Sequence, residues 1–200
     1  FQTSNHLLEV LDWGDVEIES LQSTFANQVR LTKLPNYLPT TCTNLESAFS
    51  YTVYDGDEIC NWDVSSVTTM QNMFANSRFN QDISSWRTSK VTNFKAMFKN
   101  ASKFNQDISS WYTGRATDLS SMFENATSFN QDIGSWDTSS VTGTAQGTGM
   151  FAMFSGASAF DQDISSWNVS LIASKPGSFD TGTSSGWLTA EKPVWGTDGT

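Results

Sequence analysis

Four aspartates, Asp82, Asp107, Asp132 and Asp163, recur at intervals of 25, 25 and 31 residues, each two places after Asn80, Asn105, Asn130 or Asp161. Carboxylates held about 5 Å apart repel by roughly 1 kcal/mol per neighbour even in water, so something must offset them. A bound Ca²⁺, which takes oxygen ligands of this kind, is one answer. The other is local, with each Asp accepting backbone N–H bonds in the turn ahead of Ile-Ser-Ser. This second reading is favoured, because the spacing is not that of an EF-hand or a related calcium loop.

Other chemistry has little to stand on. His6 is the one histidine, so a Ser/His/Asp or Cys/His nucleophile would rest on a single residue in the leading segment. There is no His/Cys zinc set and no glycine-rich phosphate loop. Acid pairs are numerous enough to imitate a glycosidase, yet an array repeats its acids without selecting one catalytic pair. No enzymatic activity and no resident cofactor are therefore expected. Cys42 and Cys60 could close one loop in an oxidising compartment, although two cysteines make no framework. The net charge of −10 argues against a nucleic-acid partner. No apolar run is long enough to span a membrane, and Phe1 to Asn5 has neither the charges nor the apolar run of a signal peptide. Either the chain is cytosolic or it begins after processing; its acidic, Ser/Thr-rich composition suits an extracellular protein better.

The elements that position these residues follow from a repeat. FNQDISSW at Phe79 to Trp86 returns at Phe104 to Trp111, as FNQDIGSW at Phe129 to Trp136 and as FDQDISSW at Phe160 to Trp167. Trp62, Trp86, Trp111, Trp136 and Trp167 are 24, 25, 25 and 31 residues apart, each with an isoleucine three places before it. A Met-Phe pair lies between the tryptophans, at Phe74, Phe98, Phe123 and Phe154, and the long last interval comes from a Gly/Thr-rich insertion at 142–149. Leu, Ile, Val and Phe supply only 42 of 200 residues, so large rings must build the core.

Val67, Met70 and Phe74 stand at i, i+3 and i+7, as do Val91, Phe94 and Phe98, and this spacing predicts two turns of amphipathic helix. Asn76, Asn100, Asn125 and Gly156, two residues after each Phe, would end it in the left-handed conformation. Phe-Asn-Gln-Asp-Ile reads as a short strand. Such a unit cannot bury its own rings, so the expected fold is a right-handed α/β solenoid similar to leucine-rich repeats, about 25 residues per coil, with five to six coils and capped ends. The expected divisions are an N-terminal cap at 1–28, degenerate coils at 29–57, regular repeats at 58–170 and a C-terminal cap at 171–200.

The motif FNQDIxxWDTSxVTxMxxMFxxA, matched at Phe79 to Ala101, Phe104 to Ala126, Phe129 to Ala157 and in part from Phe160, resembles the BspA-like leucine-rich-repeat surface proteins, whose unit is similar to a mycoplasma domain of unknown function. The resemblance implies a secreted or cell-surface protein used for adhesion or interaction, and carries over no catalytic residue. The tryptophan column could stack sugars, but its step with Ile, Phe and Met places it in the core. Asn80, Gln81, Asn105, Gln106, Asn130, Gln131 and Gln162 should then face outward as the interaction surface for a protein or glycan. Asn100, Asn125 and Asn168 begin N-x-Ser/Thr sequons and are glycosylation candidates. Two functions are open: an adhesion module binding along the repeat face, or a subunit stacking head to tail with copies of itself into a filament or array.

Overall fold

The computed structural model describes residues 8–143 and 145–200. His6 lies outside them. Successive copies of the repeat lie one upon another as coils, yet the strand-plus-helix coil expected above does not form. Among the described residues the regular elements are two short 3-10 helices, η1 (Glu58–Asn61) and η2 (Thr189–Glu191), and single-residue parallel bridges. There is neither an α-helix nor a sheet among them, and the α/β solenoid reading is corrected accordingly. One row of bridges runs along the coils, Ser20 to Asn44, Asn44 to Thr69, Thr69 to Asn93 and Asn93 to Asp118.

What replaces the helix is a run of consecutive β-turns. In residues 70–77 the N–H groups of Met73, Ala75 and Ser77 donate to the carbonyl three residues back, at 3.1–3.2 Å. The alternate N–H groups, of Met70, Asn72, Phe74 and Asn76, donate instead to Asn93, Lys95, Met97 and Lys99 of the next coil, at 2.7–2.9 Å. An α-helix returns every N–H to its own chain four residues back; here half of them are exported. Asn72 and Asn76 adopt φ of 54° and 58°, which a right-handed helix excludes. The same alternation recurs at 45–52, 94–101 and 119–126. Residues 21–28, read from sequence as cap, join the coil after them by the same four bonds.

The asparagines expected to end a helix do hold the left-handed conformation, Asn76, Asn100 and Asn125 at 57–58°, and Gly156 at 73°. They belong to a left-handed residue every fourth position rather than to a helix stop. This gives a test whose sign is opposite in the two folds. Asn72 makes no side-chain hydrogen bond to a described residue and its φ is positive, so Asn72→Gly should raise stability by up to about 1 kcal/mol. In a helix interior, glycine would lower it. Urea unfolding of the variant reads the sign directly.

Phe-Asn-Gln-Asp-Ile forms no strand because side chains occupy the place of a backbone ladder. Asn80 Oδ1 accepts the Asn105 N–H at 2.9 Å, Asn105 Oδ1 that of Asn130 at 2.9 Å, and Asn130 Oδ1 that of Asp161 at 3.1 Å. The core between the two halves of each coil is aromatic. Phe74 and Phe79 stack at 4.0 Å within a coil, and Phe74, Phe98 and Phe123 follow one another at 5.8 and 5.9 Å between coils. Beyond Phe154 the rings turn: Phe179 and Trp187 meet it at 85° and 75°, and Trp195 meets Phe179 at 82°.

Candidate functional site

The tryptophans are core. Trp62, Trp86, Trp111 and Trp136 are each 3% exposed and Trp167 is fully buried. Each indole N–H donates to a backbone carbonyl of the preceding coil: Trp86 to Ile59, Trp111 to Ile83, Trp136 to Ile108 and Trp167 to Ile133, at 3.0–3.1 Å. The fixed Ile-x-x-Trp spacing is the sequence signal for this bond. Phenylalanine would fill the place but carries no donor.

The expected polar surface is largely engaged in holding coils together. The side-chain amides of Gln81, Gln106, Gln131 and Gln162 donate to Asp55, Asn80, Asn105 and Asn130 of the coil before, at 2.9–3.1 Å, and all four glutamines are half-buried. Amides so committed offer little to a ligand. A second amide ladder joins the sequon positions: Asn100 Nδ2 donates to Asn76 Oδ1 and Asn125 Nδ2 to Asn100 Oδ1, both at 2.8 Å. Asn168 Oδ1 accepts the N–H and hydroxyl of Ser170.

The acidic column has the geometry of Asx turns. Asp82, Asp107, Asp132 and Asp163 are exposed, and the Oδ1 of each accepts the N–H two residues on, at 2.9 Å. Among the described residues no group of three or more His, Cys, Asp or Glu side chains is disposed to hold a metal ion. The hydroxyl and backbone N–H of Ser84, Ser109 and Ser165 hold the carboxyls of Asp82, Asp107 and Asp163 below the usual carboxylate range. Ser65 and Ser139 do the same to Asp63 and Asp137. With the folded pKa depressed, the unfolded chain binds more protons in acid. The contribution is then complete above the unfolded value near 4 and lost as pH falls through the folded values. Stability from urea unfolding should thus be flat down to about pH 5 and decline steadily below about pH 4.

Cys42 is buried and Cys60 half-buried; both are unbridged, and burial pushes each thiol's pKa up. The insertion folds back on the coils, with Lys95 Nζ at 2.6 Å from the Gly147 carbonyl.

One surface is missed by reading the repeat alone: the edge just after each tryptophan. A β-turn closes there, as when Val91 donates to Thr88 and Ala116 to Thr113, and puts Ser89-Lys90 and Gly114-Arg115 on its corners. Two shallow hollows lie along it. One, about 440 Å³, is lined by Asp63, Ser85 and Arg87 among others, and the next, about 420 Å³, by Ser85, Arg87, Ser110 and Tyr112. The signal for it lies in the differences between copies, not in what they share.

Residues 43–147 and 143–185 match the family described as Mycoplasma protein of unknown function, DUF285. The chain belongs to this family. It is the family whose repeat the FNQDIxxW motif resembles. No curated protein and no solved structure gives a significant match. Membership of DUF285 carries no assigned activity, and no helix among the described residues is long and apolar enough to cross a membrane.

Proposed function

We propose that this DUF285 chain is a non-enzymatic recognition module, secreted or displayed at the cell surface, that binds a protein or glycan along the flank of its coils. The observation that carries this reading is the closure of the aromatic core at both ends. Phe25 and Phe179 are each 1% exposed and Trp187 5%. The rings beyond Phe154 turn edge-on instead of offering a further stacking face. With the aromatic rings covered there, the broad surface left to a repeat protein is its side. The acidic, Ser/Thr-rich composition supports the extracellular setting.

A second reading, head-to-tail assembly into a filament, draws on one specific feature. The N–H groups of Ser178, Asp180 and Gly182, which continue the exported series, meet no described carbonyl, and Leu171, Leu188 and Val194 are 56–65% exposed in the same terminal region. Light scattering across concentration, together with an array of glycans and matrix proteins, tests both. A constant mass near 22 kDa with saturable binding on the array is expected. Mass that grows with concentration, with a blank array, would replace the recognition reading by assembly.

A further inference from the structure

The copies of the repeat differ from one another in a way that the scaffold does not require. One residue after the tryptophan stand Asp63, Arg87, Tyr112, Asp137 and Asn168, and four residues after it Ser66, Lys90, Arg115, Ser140 and Leu171. The position between them at the start of the turn is Val or Thr throughout, and buried where Thr88, Thr113 and Thr138 stand. Positions that carry the stack are therefore repeated, whereas these two columns change from coil to coil. Arg87, Lys90, Tyr112 and Arg115 are all exposed, Tyr112 by 52%. None of the three cations forms an ion pair with a described residue.

The charge there is out of keeping with the chain. Three of the eleven lysines and arginines, Arg87, Lys90 and Arg115, stand in these two columns against two of the twenty-one acids, Asp63 and Asp137, so the edge is net positive on a chain of net charge −10. Tyr112 is given room by a local exception: where other copies have Ser65, Ser89 or Ser139, this one has Gly114, and a Cβ there would lie 2.9 Å from the Tyr112 hydroxyl and 2.7 Å from Asp137 Oδ2. The phenol hydroxyl and Asp137 Oδ2 thus both lie over the face of Gly114. On the other side Arg87 shares its hollow with Asp63.

We propose that this edge, with Arg87, Lys90, Tyr112 and Arg115 at its centre, binds an acidic oligosaccharide: sugar carboxylates on the guanidinium groups, a ring against Tyr112, and hydroxyls donating to Asp63 and Asp137. The proposal rests on the recognition reading above and specifies its ligand. An acidic peptide would satisfy the arginines but carries no run of hydroxyl donors for the two flanking aspartates. A uronate oligomer presents both the acceptors that the arginines need and the hydroxyl donors that the aspartates need. An exposed tyrosine supplies the flat apolar face on which a sugar ring rests.

The test is calorimetric titration of the intact chain with octagalacturonate and, separately, with a Glu-rich peptide. Binding of the oligouronate that weakens with salt is expected. It should fall about tenfold or more in Arg87→Ala/Arg115→Ala and about tenfold in Tyr112→Ala. A control, Arg78→Ala/Lys103→Ala, removes the same charge from an exposed column eight residues ahead of the tryptophans and should bind like the parent chain. All three variants should melt with the parent, since the residues changed are exposed. Oligouronate binding that survives in the arginine and tyrosine variants moves the site elsewhere and leaves the recognition reading standing. Peptide binding lost in the arginine variant, without oligouronate binding, assigns the edge to an acidic protein and overturns the glycan. Neither ligand binding overturns the proposal, while a blank array removes the reading beneath it.

Discussion

Trp111→Ala is expected to lower stability by about 3 to 5 kcal/mol, a large fraction of what holds an ordinary domain folded. The ring is 3% exposed, lies 6.2 Å from Trp86 at 8° and 5.8 Å from Phe94, and its N–H meets the Ile83 carbonyl at 3.0 Å. Truncation opens a cavity shared by two coils and removes the only donor that the Ile83 carbonyl has from the neighbouring coil among the described residues. Trp111→Phe separates the two effects. It keeps most of the packing and leaves the carbonyl without that partner, for an expected cost of about 1 to 3 kcal/mol. Urea unfolding checks both. A tryptophan serving a ligand instead of the core would leave the unfolding midpoint of Trp111→Ala in place.

Ala96→Val should cost about 2 to 4 kcal/mol. Ala96 has φ of 52°, is 5% exposed, and sends its N–H to the Ser120 carbonyl at 2.8 Å. A β-branched side chain in that backbone region clashes with its own main chain, and two added methyl groups have little room at a buried site. In a helix the same change would cost only a few tenths of a kcal/mol up to about 0.6. The size of the loss, from denaturant or thermal unfolding, therefore distinguishes the observed turns from the helix that the apolar spacing predicts.

That helix is where sequence reasoning and structure part. Apolar residues at i, i+3 and i+7 fit two helical turns, and they equally fit a run of β-turns whose inward residues fall at the same intervals. Periodicity cannot separate them, because it records which side chains face inward and not where each N–H is sent. Asn at 72, 76, 100 and 125 is the available clue: a left-handed residue every fourth position is compatible with repeated turns and incompatible with a helix. The strand fails for a related reason. Asn80, Asn105 and Asn130 take up backbone N–H groups with their side chains, a substitution that no propensity scale registers. By contrast the stacking of copies, the burial of the tryptophans and the Asx turns of the aspartate column are legible, since each follows from a residue type repeated in step. The variable edge is not, because searching for repetition passes over the places where repetition stops.

The exported N–H groups have a consequence along the axis of the stack. Leu45 donates to the Thr69 carbonyl, the peptide group of Thr69 and Met70 donates on to Asn93, and that of Asn93 and Phe94 to Asp118. Parallel files pass through Ser47, Asn72 and Ala96, through Phe49, Phe74 and Phe98, and through Tyr51, Asn76 and Asn100. Each peptide unit in a file is polarised by the one behind it and polarises the one ahead. An α-helix aligns its peptide dipoles along its own chain; this molecule aligns them across chains of turns, from coil to coil. One file, in which Thr43, Thr68, Thr92 and Thr117 donate back to the coil before, runs against these four; the four together leave a net dipole with its positive pole toward the N–H groups of Ser178, Asp180 and Gly182, and each coil strengthens the bonds of the coils beside it.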